Sequence, residues 1–128
     1  MIISRAVPIS LKIHLNNMKN IIEVKNLSYR YDHKSEDYIL KDVSFHVKQG
    51  EWLSIVGHNG SGKSTTVRLI DGLLEAESGD IIISGDKLTA DNVWEKRRQI
   101  GMVFQNVMVS MFGRDTPVEL DALQVKKV

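Results

Sequence analysis

One octapeptide constrains the fold of this 128-residue chain more than any other part of its sequence. Residues 57–64 read Gly-His-Asn-Gly-Ser-Gly-Lys-Ser and fit the pattern G-x-x-x-x-G-K-[ST]. An apolar segment at residues 51–56 predicts a buried strand before the octapeptide, and apolar residues at helical spacing predict a helix after it, over residues 63–73. Because this pattern binds phosphate groups in a strand–loop–helix context, the sequence predicts a nucleotide-phosphate site.

Each residue type in this loop has a physical role in phosphate binding. Glycines permit positive φ and a close approach to an anion, so the loop amides can form an anion-binding nest beside the helix N-terminus. Lys63 is a compact cation that reaches β- and γ-phosphates, Ser64 offers a hydroxyl to Mg²⁺, and Thr65 offers a second hydroxyl to phosphate. The backbone of His58 lines the loop, whereas its imidazole is not needed for catalysis. The predicted phosphate-binding residues are Gly57, His58, Asn59, Gly60, Ser61, Gly62, Lys63, Ser64 and Thr65.

Hydrophobic patterning around the loop predicts an α/β chain. Alternation with period two predicts a strand over residues 39–47, and short apolar runs predict further strands at 21–25, 27–31, 80–84 and 100–104. A short helix carrying Trp94 is predicted after a cap at Asp91 or Asn92, and residues 119–125 form a weak helical stretch. The charge run at residues 96–98 is expected to be a solvated helix face.

Composition excludes several classes of function. The formal net charge of +1 shows none of the excess of basic residues that is typical of nucleic-acid-binding proteins, so no nucleic-acid partner is expected. The absence of cysteine excludes disulfides, thiolate zinc sites and a cysteine nucleophile, and it fits a reducing cytoplasm. No apolar run approaches the length of about 18 residues that a membrane helix needs. If the protein works at a membrane, another chain must hold it there.

Segments outside the octapeptide narrow the choice among kinases, GTPases and transport ATPases, which share this kind of loop. Tyr31 lies 26 positions before Gly57, where ABC-type ATPases have an adenine-stacking aromatic residue, and Gln105 lies where they have the Q-loop glutamine. The amino-acid sequences of three segments resemble those of the energy-coupling-factor (ECF) transporter ATPases, a subgroup of that family: residues 51–65, 69–73 and 101–106. The resemblance runs from about residue 19 to residue 106.

The resemblance implies a fold, a ligand and a set of partners. The fold is the N-terminal part of an ABC-type P-loop NTPase, an α/β protein with an antiparallel β subdomain and an incomplete parallel RecA-like core. Tyr31 would stack on the adenine of ATP, Ser64 and Gln105 would ligate Mg²⁺, and Lys63 and Gln105 would be the catalytic residues. The partners would be a second ABC ATPase subunit in a head-to-tail dimer, a transmembrane coupling subunit and a substrate-binding membrane subunit. Together they would take up vitamins or metal ions, with this chain at the cytoplasmic face of the membrane.

Three catalytic elements of the family have no counterpart in the sequence. No apolar run ends in the Asp-Glu pair that holds the metal, no Ser-Gly-Gly signature occurs, and no histidine follows His58. We expect residues 1–17 to be a non-family extension, residues 18–106 to be the family part, and residues 107–128 to be a divergent tail with an out-of-frame or rearranged sequence. Such a chain would bind nucleotide without hydrolysing it alone. In the family fold, the strand that carries the metal-binding carboxylate pairs with the strand at residues 51–56. Without that partner, the strand at 51–56 would expose an unpaired edge, which predicts a marginal or partner-dependent fold.

Two other functions are compatible with part of this pattern. A non-catalytic nucleotide-binding or interaction module shares every motif named above, and only activity and partner assays separate it from a transporter subunit. A small P-loop kinase or GTPase is less favoured. The guanine-reading Asn-Lys-x-Asp tetrad is absent from the sequence.

Overall fold

A computed structural model describes residues 1–5, 17–103 and 122–125 of the chain, the last four through their backbone only. Two helices and eight strands lie within these residues. Their order is β1 (Ile2–Ser4), β2 (Asn20–Tyr29), β3 (Leu40–Lys48), β4 (Ser54–Val56), α1 (Lys63–Ile70), β5 (Ser78–Ile83), β6 (Asp86–Lys87), α2 (Val93–Arg97), β7 (Ile100–Val103) and β8 (Ala122–Val125). No helix in the described part of the chain is both long enough and apolar enough to cross a membrane.

An antiparallel sheet with the strand order β3-β2-β5-β6 forms the largest element of the fold. Its central strand, β2, alternates apolar side chains that pair across both neighbours: Val24, for example, lies opposite Phe45 of β3 and Ile81 of β5. The core joins these buried side chains to Leu69 and Ile70 of α1. The sheet therefore provides the apolar surface on which α1 packs, the helix that follows the octapeptide at residues 57–64, called the phosphate loop from here on.

Strand β2 is longer than the sequence pattern predicts. The two strands expected at residues 21–25 and 27–31 form one strand with an irregular register between them. Asn26 lies at this irregularity with φ +49°, a conformation that asparagine tolerates. Its amide N–H donates to Ser44 Oγ and its side chain to Asp42 Oδ1, so the bonds that the ladder loses are replaced locally.

Helix α1 ends three residues earlier than predicted, at Ile70. Asp71 forms its C-cap, Gly72 adopts a positive φ, and the N–H of Leu73 turns back to the carbonyl of Arg68. A glycine in this position after a helix is typical of a C-terminal stop. Leu73 consequently lies outside the helix and is 44% exposed.

Strand β4 has a neighbour that the sequence does not predict. Residues 2–4 pair with it in antiparallel orientation, with Ile3 opposite Ile55. Within the described residues, β1 and β4 form a sheet of two strands, so the exposed edge expected for this segment is present on one side and covered on the other. The expected exposed edge therefore remains on the side of β4 that has no partner strand among the described residues, while β1 satisfies the backbone groups on the other side.

Two further expectations fail for residues outside the phosphate loop. Lys96 is only 3% exposed and its Nζ lies 2.7 Å from Asp86 Oδ2, so the charge run is not a solvated face at this position. Residues 122–125, expected to be weakly helical, form β8 and pair with β7. In both cases contacts with distant residues outweigh a weak local preference.

Candidate functional site

The phosphate loop connects β4 to α1 and is closed by close packing at two glycines. A Cβ atom on Gly57 would lie 2.3 Å from Ser61 Oγ, and one on Gly62 would lie 2.6 Å from Leu40 Cδ2. Gly62 also has φ +95°, which only glycine adopts without strain. The N–H of Ser61 donates to the carbonyl of His58 at 3.1 Å and forms the turn between these glycines. The loop is therefore held in a tight conformation by its own packing.

Lys63 reaches back over this loop from the first turn of α1. Its Nζ donates to the carbonyl oxygens of Gly57 and His58, the latter at 3.2 Å. The ammonium group thus lies at the helix N-terminus, where the exposed helix amides already favour an anion. This arrangement places two sources of positive potential at the loop.

The hydroxyl groups that follow Lys63 lie in the same turn of the helix. Ser64 is half-buried, and Thr65 and Thr66 are 5% and 0% exposed. Thr66 Oγ1 donates to the carbonyl of Gly62 at 2.7 Å, which stabilises the junction between loop and helix. Among the described residues, Ser61 Oγ is buried without a hydrogen-bond partner. An orphaned hydroxyl inside an anion-binding loop fits a ligand that supplies acceptor oxygens.

Tyr31 lies beside the first turn of α1, although 34 residues separate it from Thr65. Its hydroxyl lies 3.1 Å from Thr65 Oγ1, and its ring contacts Tyr29 edge to face with the centroids 5.0 Å apart. The side chain is 57% exposed, so one part of the ring remains open to solvent. Burial, together with the neighbouring Tyr31, raises the pKa of Tyr29, so the phenol that supports this ring stays neutral.

Arg30 holds the segment that carries Tyr31. Its guanidinium donates to both carboxylate oxygens of Glu77, at 2.7 and 2.8 Å, and to the carbonyl of Ser35. It also lies over the ring of Tyr38, 4.8 Å from the centroid. The hydrogen bond that Arg30 donates to Glu77 raises the pKa of Arg30. Sequence reasoning missed this residue, since an arginine just after a strand gives no local sign of a bidentate partner 47 residues away.

Met1 is a second residue that sequence reasoning missed. Its Cα lies 3.2 Å from the position of a Cβ on Gly57, and its sulfur lies 3.6 Å from Thr66 Oγ1. The N-terminus of the chain therefore contacts both the first residue of the phosphate loop and the helix that follows. No pattern in residues 1–5 signals this contact, because it depends on the pairing of β1 with β4.

The structure brings the predicted loop residues and Tyr31 together but does not extend to Gln105, which lies outside the described residues. A magnesium ion at this site would need oxygen ligands, and the hydroxyl of Ser64 is of the right chemical kind. No group of three or more His, Cys, Asp or Glu side chains that could hold a metal occurs in residues 1–5, 17–103 and 122–125.

Comparison with known sequences gives consistent likenesses. A sequence model described as "ABC transporter" matches residues 40–124, more than half of the chain. The energy-coupling factor transporter ATP-binding protein EcfA1 of Streptococcus sanguinis (strain SK36) is 86% identical over 89 residues, and that of Streptococcus pneumoniae serotype 2 (strain D39 / NCTC 7466) is 74% identical over 89 residues. Each match covers 70% of this chain and 32% of the relative. The chain therefore spans about a third of the length of these relatives.

Solved structures show the same likeness in three dimensions. The dimeric bacterial ABC transporter cassette MJ0796 has a TM-score of 0.61 at 38% identity, over 66% of this chain and 39% of that one. CbiO1 of Clostridium perfringens, described as part of the ABC transporter complex cbiONQ, has a TM-score of 0.58 at 31% identity, over 67% and 34%. A further structure of MJ0796, bound to ADP and Pi, has a TM-score of 0.54 at 35% identity, over 61% and 35%. These likenesses confirm the fold class predicted from the sequence.

Proposed function

This chain belongs to the ABC transporter family, and we propose that it binds ATP and Mg²⁺ at residues 57–65 as the nucleotide-holding part of an ECF transporter ATP-binding subunit. The observation that carries this proposal is the position of Lys63, whose ammonium group lies over the loop at the start of α1. The high identity to EcfA1 proteins supports the choice of the ECF subgroup. ADP and Pi in the related MJ0796 cassette support a nucleotide as the ligand.

Binding is an exchange of hydrogen-bond partners within the loop. Lys63 gives up the carbonyl oxygens of Gly57 and His58 for phosphate oxygens, and the loop amides of residues 58–63 donate to the same phosphates. The backbones of His58, Asn59 and Ser61 carry part of this donor set, and the buried Ser61 hydroxyl gains an acceptor. Ser64 and Gln105 are assigned as ligands of Mg²⁺, which offsets the charge of the β- and γ-phosphates when bound.

Tyr31 is assigned to the adenine ring. Its exposed ring lies next to Thr65, so a nucleotide whose phosphates occupy the loop has an aromatic face within reach of its base. Stacking on an aromatic side chain contributes about 1–3 kcal/mol per base and does not depend on base identity. This contact therefore supports affinity more than selection among nucleotides.

Hydrolysis requires residues that this sequence does not contain. Phosphoryl transfer to water needs a carboxylate for the metal and a group that positions the water, and the signature residues of the opposite subunit complete the family's site. Lys63 and Gln105 are assigned to the catalytic site, but they supply neither of those groups. We therefore expect this chain alone to bind ATP without turning it over.

The same proposal places the chain in an assembly. Its partners are a second ABC ATPase subunit, a transmembrane coupling subunit and a substrate-binding membrane subunit, and the transported molecules are vitamins or metal ions. The chain lies at the cytoplasmic face of the membrane through these partners. Within it, residues 18–106 are the family part, residues 1–17 are an extension, and residues 107–128 are a divergent tail.

Nucleotide binding by matched variants tests this proposal. Mg-ATP is titrated into the unmodified chain, into Lys63→Ala and into Lys87→Ala, with release of phosphate measured in parallel. Lys87→Ala is the control because it removes the same side chain from an exposed site on β6. We expect Lys63→Ala to bind at least about tenfold more weakly, a loss of about 1.4 kcal/mol, and Lys87→Ala to bind normally. Equal affinity of all three proteins would refute the site, and robust phosphate release would refute the expected lack of turnover.

A further inference from the structure

The pairing of β1 with β4 is short, so backbone hydrogen bonds alone give it little stability. Only three residue pairs are in register: Ile2 with Val56, Ile3 with Ile55, and Ser4 with Ser54. An isolated pair of strands is marginally stable in water at best. Side-chain contacts must therefore hold residues 1–5 in place, and such contacts occur at the centre and at both ends of the segment.

At the centre, the side chains of the pair alternate between the core and solvent. Ile3 and its partner Ile55 are half-buried and pack against the hydrophobic core. Ile2 and Val56, which point to the other face, are 68% and 54% exposed. Of the two consecutive isoleucines, Ile3 therefore contributes most of the buried apolar area.

At the end towards the rest of the chain, Arg5 contacts two residues of the β3–β4 region. Its Nη1 lies 3.2 Å from Glu51 Oε1 and 3.1 Å from His46 Nε2, and its Nη2 donates to the carbonyl of His46. The Glu51 side chain is only 4% exposed, and its other oxygen accepts the N–H of Lys48 at 2.8 Å. Arg5 thus supplies the countercharge to a buried carboxylate, whose ionised form is costly to leave unpaired.

At the other end, Met1 contacts the phosphate loop. Its backbone lies against Gly57, and its sulfur contacts Thr66 Oγ1 at 3.6 Å. The segment therefore spans the distance from the β3–β4 connection to the start of α1. These contacts match the shape and charge of one particular sequence, with a methionine first, an isoleucine third and an arginine fifth.

We propose that the edge of β4 is a strand-docking site whose occupant is the chain's own residues 1–5, and that this docking prevents pairing between copies of the chain at that edge. An uncovered edge next to apolar side chains is a template for association, and addition of an extended segment is a general way to satisfy it. The charge complement of Arg5 and Glu51 makes the chain's own segment the favoured occupant. A strand from a second copy can pair there only when residues 1–5 leave.

Two isoleucine variants of the full chain separate docking from a general effect of added charge. Ile3→Asp places a carboxylate on the core side of β1, and Ile2→Asp places the same group on the exposed side of the same strand. Hydrogen exchange of the amides of residues 54–56 and sedimentation at several concentrations are measured for both. For Ile3→Asp we expect exchange faster by about tenfold, the factor that the loss of one or two hydrogen bonds produces, together with larger assemblies. For Ile2→Asp we expect neither change.

If Ile3→Asp unfolds the chain, the docking of residues 1–5 is tested instead with Arg5→Ala and with an added peptide. Exchange of the β2 and β5 amides reports whether each variant keeps the main sheet. Arg5→Ala should speed exchange at residues 54–56 alone. A free peptide of residues 1–5 added to this variant should restore the protection of these amides, whereas the same peptide with Ile3→Asp should not. Equal exchange in Ile2→Asp, Ile3→Asp and Arg5→Ala would overturn the proposal, as would an unmodified chain that exchanges β1 between two copies. No nucleotide is present in these measurements, so their failure leaves the proposed function untouched.

Discussion

The hydroxyl of Tyr31 and Oγ1 of Thr65 lie 3.1 Å apart, so the residue assigned to adenine and a residue assigned to phosphate are hydrogen-bonded to each other. Thr65 is 5% exposed and Tyr31 is 57% exposed, which places this bond at the boundary between the loop and solvent. Either hydroxyl can donate in this bond, and when Thr65 donates to Tyr31, a phosphate oxygen that accepts from Thr65 competes with Tyr31. The two halves of the proposed nucleotide site are coupled before any ligand binds.

Replacing Tyr31 by phenylalanine should strengthen nucleotide binding. The ring remains for stacking, while the hydroxyl that occupies Thr65 is removed, and one net hydrogen bond of about 0.5–1.5 kcal/mol sets the upper limit of the gain. Tyr31→Ala should weaken binding, since it also removes the ring. Titration of Mg-ATP into the three proteins measures the order. Weaker binding by Tyr31→Phe than by the unmodified chain would show that the hydroxyl helps the ligand rather than competing with it.

Alanine should be more harmful at Gly62 than at Gly60. Both residues have positive φ, +95° and +81°, so alanine is strained at either position. At Gly62 the new Cβ would also collide, at 2.6 Å from Leu40 Cδ2, whereas at Gly60 none of the described residues other than its chain neighbours has a heavy atom within 4 Å of that position. We expect a loss of about 1 kcal/mol for Gly60→Ala and a larger loss for Gly62→Ala. Chemical denaturation measures both, and equal losses would contradict the packing described at Gly62.

Replacing Asp71 by asparagine should stabilise the chain at neutral pH. Burial raises the pKa of this carboxyl above its ordinary value of 3.8, although Arg97 acts in the opposite direction. A raised pKa means that the folded chain holds the proton more tightly, so stability falls as the pH rises through 3.8 towards the raised value. The carboxylate also lies at the C-cap of α1, where a negative charge is unfavourable.

Thermal melts of Asp71→Asn and the unmodified chain at pH 7 and pH 3 measure this effect. We expect the variant to be more stable at pH 7 by less than about 1 kcal/mol. The difference should disappear at pH 3, where the carboxyl is protonated in both the folded and the unfolded chain. A difference of the same size at both pH values would show that the charge of Asp71 is not its cause.

Removing the Asp86 carboxylate should destabilise the chain through Lys96. The Lys96 side chain is 4% exposed, and its Nζ lies 2.7 Å from Asp86 Oδ2. Because Asp86 itself is 69% exposed, water can replace part of the carboxylate, and we expect Asp86→Ala to cost about 1 kcal/mol. Adding Lys96→Met should recover part of this loss, since methionine fills the same space without a charge. Denaturation of the two single variants and the double variant measures the coupling, and purely additive losses would contradict it.

Most of the proposed site could be predicted from local sequence, but its supports could not. Residues 57–65 are consecutive, so the glycines, Lys63 and the hydroxyls that follow lie together whatever the rest of the chain does. Tyr31 was placed by a family resemblance, and its hydrogen bond to Thr65 was not predicted. Periodicity does not predict the end of α1 or the extent of β2, because the C-cap at Asp71 and the irregularity at Asn26 depend on single residues.

The conformation of the phosphate loop follows from its own residues, since its glycines and the start of α1 are neighbours in the chain. Three features depend on tertiary contacts instead: Met1 lies against Gly57, β1 pairs along β4, and the Lys96 side chain is buried beside Asp86. The physical reason is that the backbone groups of a strand edge accept any extended segment, and burial depends on neighbours far away in the chain. A local motif therefore indicates which chemistry the loop can perform, while the residues that pack against the loop and cover the edge of β4 come from distant parts of the chain.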